Sequence, residues 1–317
     1  MNADTRPGGL PTFLIIGAPK CGTTSLYRYL AQHPDVFMPK LKEPMFFSYD
    51  GLDVFFGGPV DDSKNVVTDL ETYRALFAPA TSETARGEAS PSYLYRERAP
   101  ERIKHHVPDA RLIALLRDPV DRAWSSYVHL RREGQEPLDD FWAAVAAEDR
   151  RVEENWIPLF HYTRVGMYGS HLDRYHRLFA PEQIKVYLYD DLAKDPLGVT
   201  RDALSFIGVN EAFDPDVAEH HNVSGVPRSR ALHELLFRPP APVRALARKL
   251  VPENARGRLH SRLNRRNLAP PPPRPPDLRE RLVPVFRADI ERVQEILARD
   301  LSGWLSTAVR PSATRPG

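Results

Sequence analysis

A single cysteine, Cys21, in 317 residues excludes an internal disulfide framework and fits a reducing compartment. No apolar run approaches the roughly 20 residues that span a bilayer, so no stable membrane insertion is expected. The opening "MNADTRPGGLPT" leads straight into a strand-like segment without a signal-like apolar core, and a cytoplasmic chain is expected. The histidine pairs His105–His106 and His220–His221 lack the spacing of a zinc site, so no metal is expected. Charge of one sign is not in excess overall, the net being +2, but it is unevenly spread. Between Arg238 and Arg274 ten Lys/Arg stand against one acid, Glu253, which leaves the rest of the chain acidic. Six prolines fall among residues 270–276, and one aromatic residue, Phe237, borders the basic stretch. Base stacking needs more than that, and no nucleic-acid partner is expected.

What is present is an alternation of strands and helices. Thr12–Ile16 and Leu112–Leu116 read as buried strands, short, apolar and ending at a turn. Thr23–Gln32 reads as a helix that stops at "HPD". Asp118 and Pro119 give the cap and first position of a helix that runs to about Arg132. A strand is expected before "GEASPSYLY", one helix over "FWAAVAAEDRRVEE", another over "MYGSHLDRYHRLF", and a strand in "IKVYLYDDL". The aromatic-rich "LKEPMFFSYDGLDVFFGG" has no period and reads as a loop. A closing helix pair is expected to bury Leu282, Val285, Phe286, Ile290, Val293, Ile296 and Leu297 on one face. The pattern predicts an α/β fold, a P-loop-type parallel sheet covered by helices on both faces, with a C-terminal helical, Pro/Arg-rich extension. One domain over 1–317 is expected, its core at about 12–230 with the helices at 277–305, around a basic excursion at 238–276.

The stretch "FLIIGAPKCGTTSL" carries the first chemical signal. Gly17 and Gly22 have the spacing of a Walker A loop, yet Thr23 stands where that motif has its lysine, and Lys20 comes two residues early. A strand, a glycine-bounded loop and a helix N-terminus still make an anion site through backbone N–H groups. Thr23, Thr24 and Ser25 add hydroxyl donors. A sulfuryl group carries less charge than a triphosphate and needs less neutralisation. The loop "APKCGTTSL" resembles the 5′-phosphosulfate loop of sulfotransferases that use 3′-phosphoadenosine 5′-phosphosulfate (PAPS).

That resemblance implies a PAPS site at Pro19, Lys20, Cys21, Gly22, Thr23, Thr24 and Ser25, with 3′-phosphoadenosine 5′-phosphate (PAP) as product and no metal. The ribose 3′-phosphate needs a site of its own, and Arg117 with Ser125 in "LLRDPVDRAWSSY" has the form of the family's 3′-phosphate motif. "KEPMFF" is similar to a loop of the heparan-sulfate-type branch, which implies Glu43 as general base; His129 matches a histidine of its N-sulfotransferases. Pro44 is expected to stiffen that loop, and Phe46 and Phe47 to desolvate the carboxylate, against the pull of Lys42. Ala89 stands where the family has a lysine, so one contact is missing or comes from elsewhere. Arg228 and Arg230 in "HNVSGVPRSRAL" fall on a late basic loop that implies cofactor contact. The implied acceptor is a hydroxyl or amine, carbohydrate before small metabolite or lipid, and "SYDGLDVFFGG" and Trp156 offer aromatic faces to it. Oligomeric state is not readable. Two other readings stay open. A metal-dependent P-loop kinase is favoured by "IKVYLYDD", which imitates a Walker B strand; an idle anion-binding module of the same fold is disfavoured by Glu43.

Overall fold

A computed structural model of the chain describes residues 9–217, 226–227, 268–270 and 272–308. Its elements run β1 (Phe13–Gly17), α1 (Thr23–Leu30), β2 (Val36–Phe37), α2 (Phe46–Tyr49), α3 (Leu70–Ala75), β3 (Ala85–Ala89), α4 (Ala99–His106), β4 (Arg111–Leu116) and α5 (Pro119–Arg132). Then come α6 (Phe141–Ala146), α7 (Glu148–Glu153), α8 (Tyr168–His176), β5 (Ile184–Leu188), α9 (Tyr189–Lys194) and α10 (Pro196–Ile207). A two-residue antiparallel pair, β6 (Val226–Pro227) with β7 (Leu268–Ala269), precedes α11 (Leu278–Leu297) and α12 (Ser302–Leu305). Among the described residues no helix is long and apolar enough to cross a membrane.

The main sheet is five-stranded and parallel, in the order β2-β3-β1-β4-β5. β1 is buried throughout and β4 from Leu112 onward, so both faces of the sheet centre are covered, as the unbroken apolar runs require. The chain leaves β1 toward β3 on one side and later returns to β4 on the other. Such a switch opens a crevice at the carboxyl ends of the central strands.

Two strands differ from expectation. β2 is a two-residue strand paired with β3, too short to carry a period. The strand expected before "GEA" is "ARGEA" itself. Its Gly87 lies opposite Phe13, and a Cβ there would come within 2.2 Å of the Phe13 ring. The strand gives up a side chain so that the aromatic ring can pack.

Helices differ too. The segment read as one helix divides into α6 and α7 at Ala147, where the buried Glu148 carboxylate accepts from the Thr163 and Arg164 amides. The aromatic "loop" contains α2, whose Phe46 and Phe47 are wholly buried against Tyr73 and Tyr93. α11 is a single 20-residue helix and its companion α12 one turn. Its buried face holds Leu278, Leu282, Val283, Phe286, Ile290 and Val293, while Val285 is exposed. Val285 lies at the rim because the face follows spacings near four from Leu278.

Asp118 caps α5 as expected, accepting from the Val120 and Asp121 amides through Oδ1. Its Oδ2 accepts from Arg279 Nη1 at 2.8 Å, and Arg279 also donates to the Trp304 and Ser306 carbonyls. Both ion-pair partners are buried, so α11 is fastened to the start of α5, one residue beyond Arg117. Removing one member strands a buried charge. Arg279→Leu is expected to lower the unfolding free energy by about 3–5 kcal/mol in urea titrations. A loss below about 1 kcal/mol would contradict the pairing.

Candidate active site

The carboxyl ends of β1, β3, β4 and β5 deliver four segments to one cavity of about 750 Å³. After β1 come Pro19, Lys20, Gly22, Thr23, Thr24 and Ser25; after β3, Pro91 and Ser92; after β4, Arg117; after β5, Tyr189. α5 adds Ser125, His129 and Arg132, and the segment before α2 adds Lys42, Glu43 and Met45.

The loop after β1 is shaped by two left-handed residues, Lys20 at φ 70° and Gly22 at φ 90°. A Cβ on Gly22 would press on Leu192 and Tyr189, so glycine is required there for space as well as conformation. Gly22 is also the N-cap of α1 and provides no side-chain cap, so no cap side chain claims the Thr23 and Thr24 amides, while the Ser25 amide turns back to the Gly22 carbonyl at 3.0 Å. Thr23, Thr24 and Ser25 lie on that turn.

Cations converge on the loop. Burial draws the Lys20 ammonium down to about 8, and the neighbouring Arg132 and Arg117 guanidinium groups push the same way. Like charges gathered around a half-buried lysine are the signature of an anion site. Arg117 stacks on the Tyr189 ring, its guanidinium carbon 4.5 Å from the centroid, which fixes the plane of its fork. Ser92, buried on the same cavity, has an Oγ with no partner among the described residues.

His129 is a neutral ring. Its Nδ1 lies 2.9 Å from Arg132 Nη2, and a guanidinium can only donate, so the ring proton sits on Nε2. Burial, with Lys20 and Arg132 nearby, draws His129 down to about 3. It is therefore a hydrogen-bond donor at neutral pH and a very weak base.

Glu43 lies on the cavity in a left-handed backbone conformation, φ 60°. Lys42 Nζ donates to Glu43 Oε1 at 2.7 Å and to Thr24 Oγ1 at 2.9 Å, tying the carboxylate to the first turn of α1. The desolvation expected from Phe46 and Phe47 is absent: both rings pack into the core, and the Glu43 side chain stays 43% exposed.

The cavity thus brings together Glu43, Lys20, His129, Pro19, Gly22, Thr23, Thr24, Ser25, Arg117 and Ser125. The Cys21 side chain is not among them: it is buried, its Sγ 3.6 Å from Tyr168 Oη, and burial pushes the thiol up. Arg228 and Arg230 lie outside the described residues, as does most of the basic stretch; Arg274, at its end, pairs with Asp121 at 2.8 Å. Ala89 is buried in β3 and contributes no charge. Trp156 is buried between Gly58 and Arg151, so it offers no free face. Of the aspartates that imitated a Walker B strand, Asp191 is held by Arg299, and neither it nor Asp190 lines the cavity.

Residues 10–223 match the family model described as the sulfotransferase domain. The chain belongs to the sulfotransferase domain family. It is 34% identical over 215 residues to the human bifunctional heparan sulfate N-deacetylase/N-sulfotransferase 3, a match covering 63% of this chain and 22% of that protein. It is 29% identical over 215 residues to the mouse heparan sulfate glucosamine 3-O-sulfotransferase 6, covering 63% of this chain and 52% of that one. The chain therefore spans about a quarter to a half of the length of these relatives. A crystal structure of a sulfotransferase from Alicyclobacillus acidocaldarius superposes with a TM-score of 0.72 at 34% identity, covering 93% of this chain and 99% of that one.

Within this sulfotransferase domain, Arg132 and Tyr189 are cavity residues that sequence reasoning missed. Arg132 had a signal: Ser125, His129 and Arg132 fall at i, i+4 and i+7, a polar stripe on one face of α5. Tyr189 had none, since its part depends on β4 and β5 being adjacent.

The lowered Lys20 titration predicts a proton linkage. An anion beside Lys20 favours its charged form and raises its pKa. PAP should therefore take up a proton on binding near pH 8.5, and its affinity should fall as pH rises through about 8. Calorimetry in two buffers of different ionisation heat measures the uptake, and Lys20→Met should abolish it. Equal uptake in the variant would contradict the linkage.

Proposed function

We propose that the chain transfers the sulfuryl group of PAPS to a hydroxyl or amine of an acceptor by in-line displacement, with Glu43 as general base. The observation that carries this reading is one cavity lined by Lys20 from the loop after β1, by Arg117 and Ser125, and by the carboxylates Glu43, Asp62 and Asp216, of which Lys42 ties Glu43 to Thr24 on the first turn of α1. The residues fit an anionic ligand: burial and neighbouring cations lower Lys20, no side chain caps the α1 N-terminus, and Ser92 Oγ has no partner among the described residues.

PAPS, when bound, supplies the sulfuryl group. Lys20 is charged at neutral pH, below its titration near 8, and offsets the negative charge that grows on the departing phosphate oxygen. The Thr23, Thr24 and Ser25 hydroxyls and the Thr23 and Thr24 amides would hold the 5′ end. Arg117, steadied by Tyr189, and Ser125 hold the 3′-phosphate. Arg132 lines the cavity too, its charge shared with Glu133, whose Oε1 accepts from Arg132 Nε at 2.9 Å. Glu43 takes the acceptor proton as the new bond forms, with Lys42 fixing the orientation of the carboxylate. His129 serves as a neutral Nε2–H donor, so it does not compete for the role of base. A carbohydrate acceptor is the favoured class, because the similar human and mouse proteins are named for heparan sulfate.

Two variants divide binding from chemistry. Arg117→Ala should weaken PAP and erase its advantage over AMP, a charge-assisted bond being worth about 1.5–3 kcal/mol. Glu43→Gln should leave PAP affinity near wild type while lowering sulfuryl transfer by about 10²–10⁴. Calorimetric titration without Mg²⁺, alongside release of PAP from PAPS, measures both. Equal binding of PAP and AMP by the native chain, or native turnover by Glu43→Gln, would contradict the assignment.

A further inference from the structure

Glu88 is a carboxyl group that the proposed chemistry does not use. It stands on β3 with 1% of its surface exposed, surrounded by hydroxyl groups. Ser90 Oγ donates to its Oε2 at 2.9 Å, and Tyr73 Oη to its Oε1 at 3.2 Å. The Tyr93 hydroxyl lies close enough to lower its titration.

Two of these hydroxyls have a second duty. Ser90 Oγ accepts the Met45 amide at 3.0 Å, and Tyr93 Oη accepts the Phe47 amide at 3.4 Å. The third, Tyr73, stacks its ring on Phe46 with centroids 4.4 Å apart. Three successive residues after Pro44 are thus fastened to groups that converge on one carboxyl. The segment they fasten carries Glu43 and turns sharply, with Glu43 and Met45 both left-handed. Such backbone is strained and persists only where surrounding contacts hold it.

A carboxylate suits this duty better than an amide would. Ionised, it only accepts, so the hydroxyls around it can point their protons inward, which leaves lone pairs of Ser90 and Tyr93 for the Met45 and Phe47 amides. We infer that Glu88 is a positioning residue for Glu43, acting through Ser90 and Tyr93 on the Met45 and Phe47 amides. Keeping an acid there carries a penalty: burial pushes Glu88 up to about 7 despite its hydroxyl partners, and the Glu43 charge adds to the rise. This inference rests on the reading of Glu43 as the base, but its structural half is measurable without chemistry.

The test is Glu88→Gln, with Ser90→Ala as a second variant that removes the Met45 relay alone. An amide keeps the shape but presents an N–H to at least one hydroxyl and turns it away from its backbone partner. Hydrogen exchange of the full chain should show the Met45 amide exchanging at least about tenfold faster in both variants, with the α4 amides unchanged. Sulfate release from PAPS, with water as acceptor, should fall at least about tenfold while the Kd for PAP stays within about twofold. Native Met45 protection in both variants would overturn the inference, as would loss of PAP affinity in step with the rate. Native turnover by Glu43→Gln would remove the reading of Glu43, and Met45 exchange would still decide the role of Glu88.

Discussion

Burial of neighbouring cations is the constraint around which the site is built. Burial lowers the Lys20 titration most, and Arg132 and Arg117 lower it further, while Glu133, paired with Arg132 at 2.9 Å, offsets part of that. A fold left to its own stability would separate them, since like charges in a partly buried cavity are unfavourable. They stay together because different elements hold them: the loop after β1, the end of β4 and the last turn of α5. The sheet order, with β1 between β3 and β4, makes those ends neighbours. An anionic ligand relieves the repulsion, so the site spends fold stability on ligand affinity.

The anchoring that resists this repulsion is rigid. Asp118 is fixed by the α5 amides and by Arg279, so the residue after Arg117 is clamped from two sides. Gly22 admits the close approach of α9, whose Tyr189 carries the Arg117 stack. Lys42 joins Thr24 to Glu43, which couples the carboxylate to the loop after β1. The kinase alternative loses its one support here, because Asp191 is committed to Arg299 and does not line the cavity.

How much was legible in the sequence depended on whether a feature was local. β1 and β4 were readable as apolar runs, and Asp118–Pro119 as a cap, because backbone and burial agree over a few residues. The loop spacing and Lys20 were readable for the same reason. β3 was readable in its place but not in its bounds, since Gly87 and the charged Arg86 and Glu88 hide the end of a strand whose shape is set by Phe13 across the ladder. The inward turn of Cys21, the burial of Trp156 and the exposure of Val285 follow from neighbours distant in sequence. Glu88 was invisible as a candidate because its meaning lies in Ser90, Tyr73 and Tyr93 meeting at one point.

A crystal structure with PAP, grown without Mg²⁺, tests the arrangement most directly. The 5′-phosphate should lie on the first turn of α1 within hydrogen-bond distance of Lys20, and the 3′-phosphate on Arg117 and Ser125. The remaining cleft should open onto Glu43. A nucleotide bound elsewhere, or a 3′-phosphate pointing into solvent while Arg117 stays stacked on Tyr189 without touching it, would contradict the account.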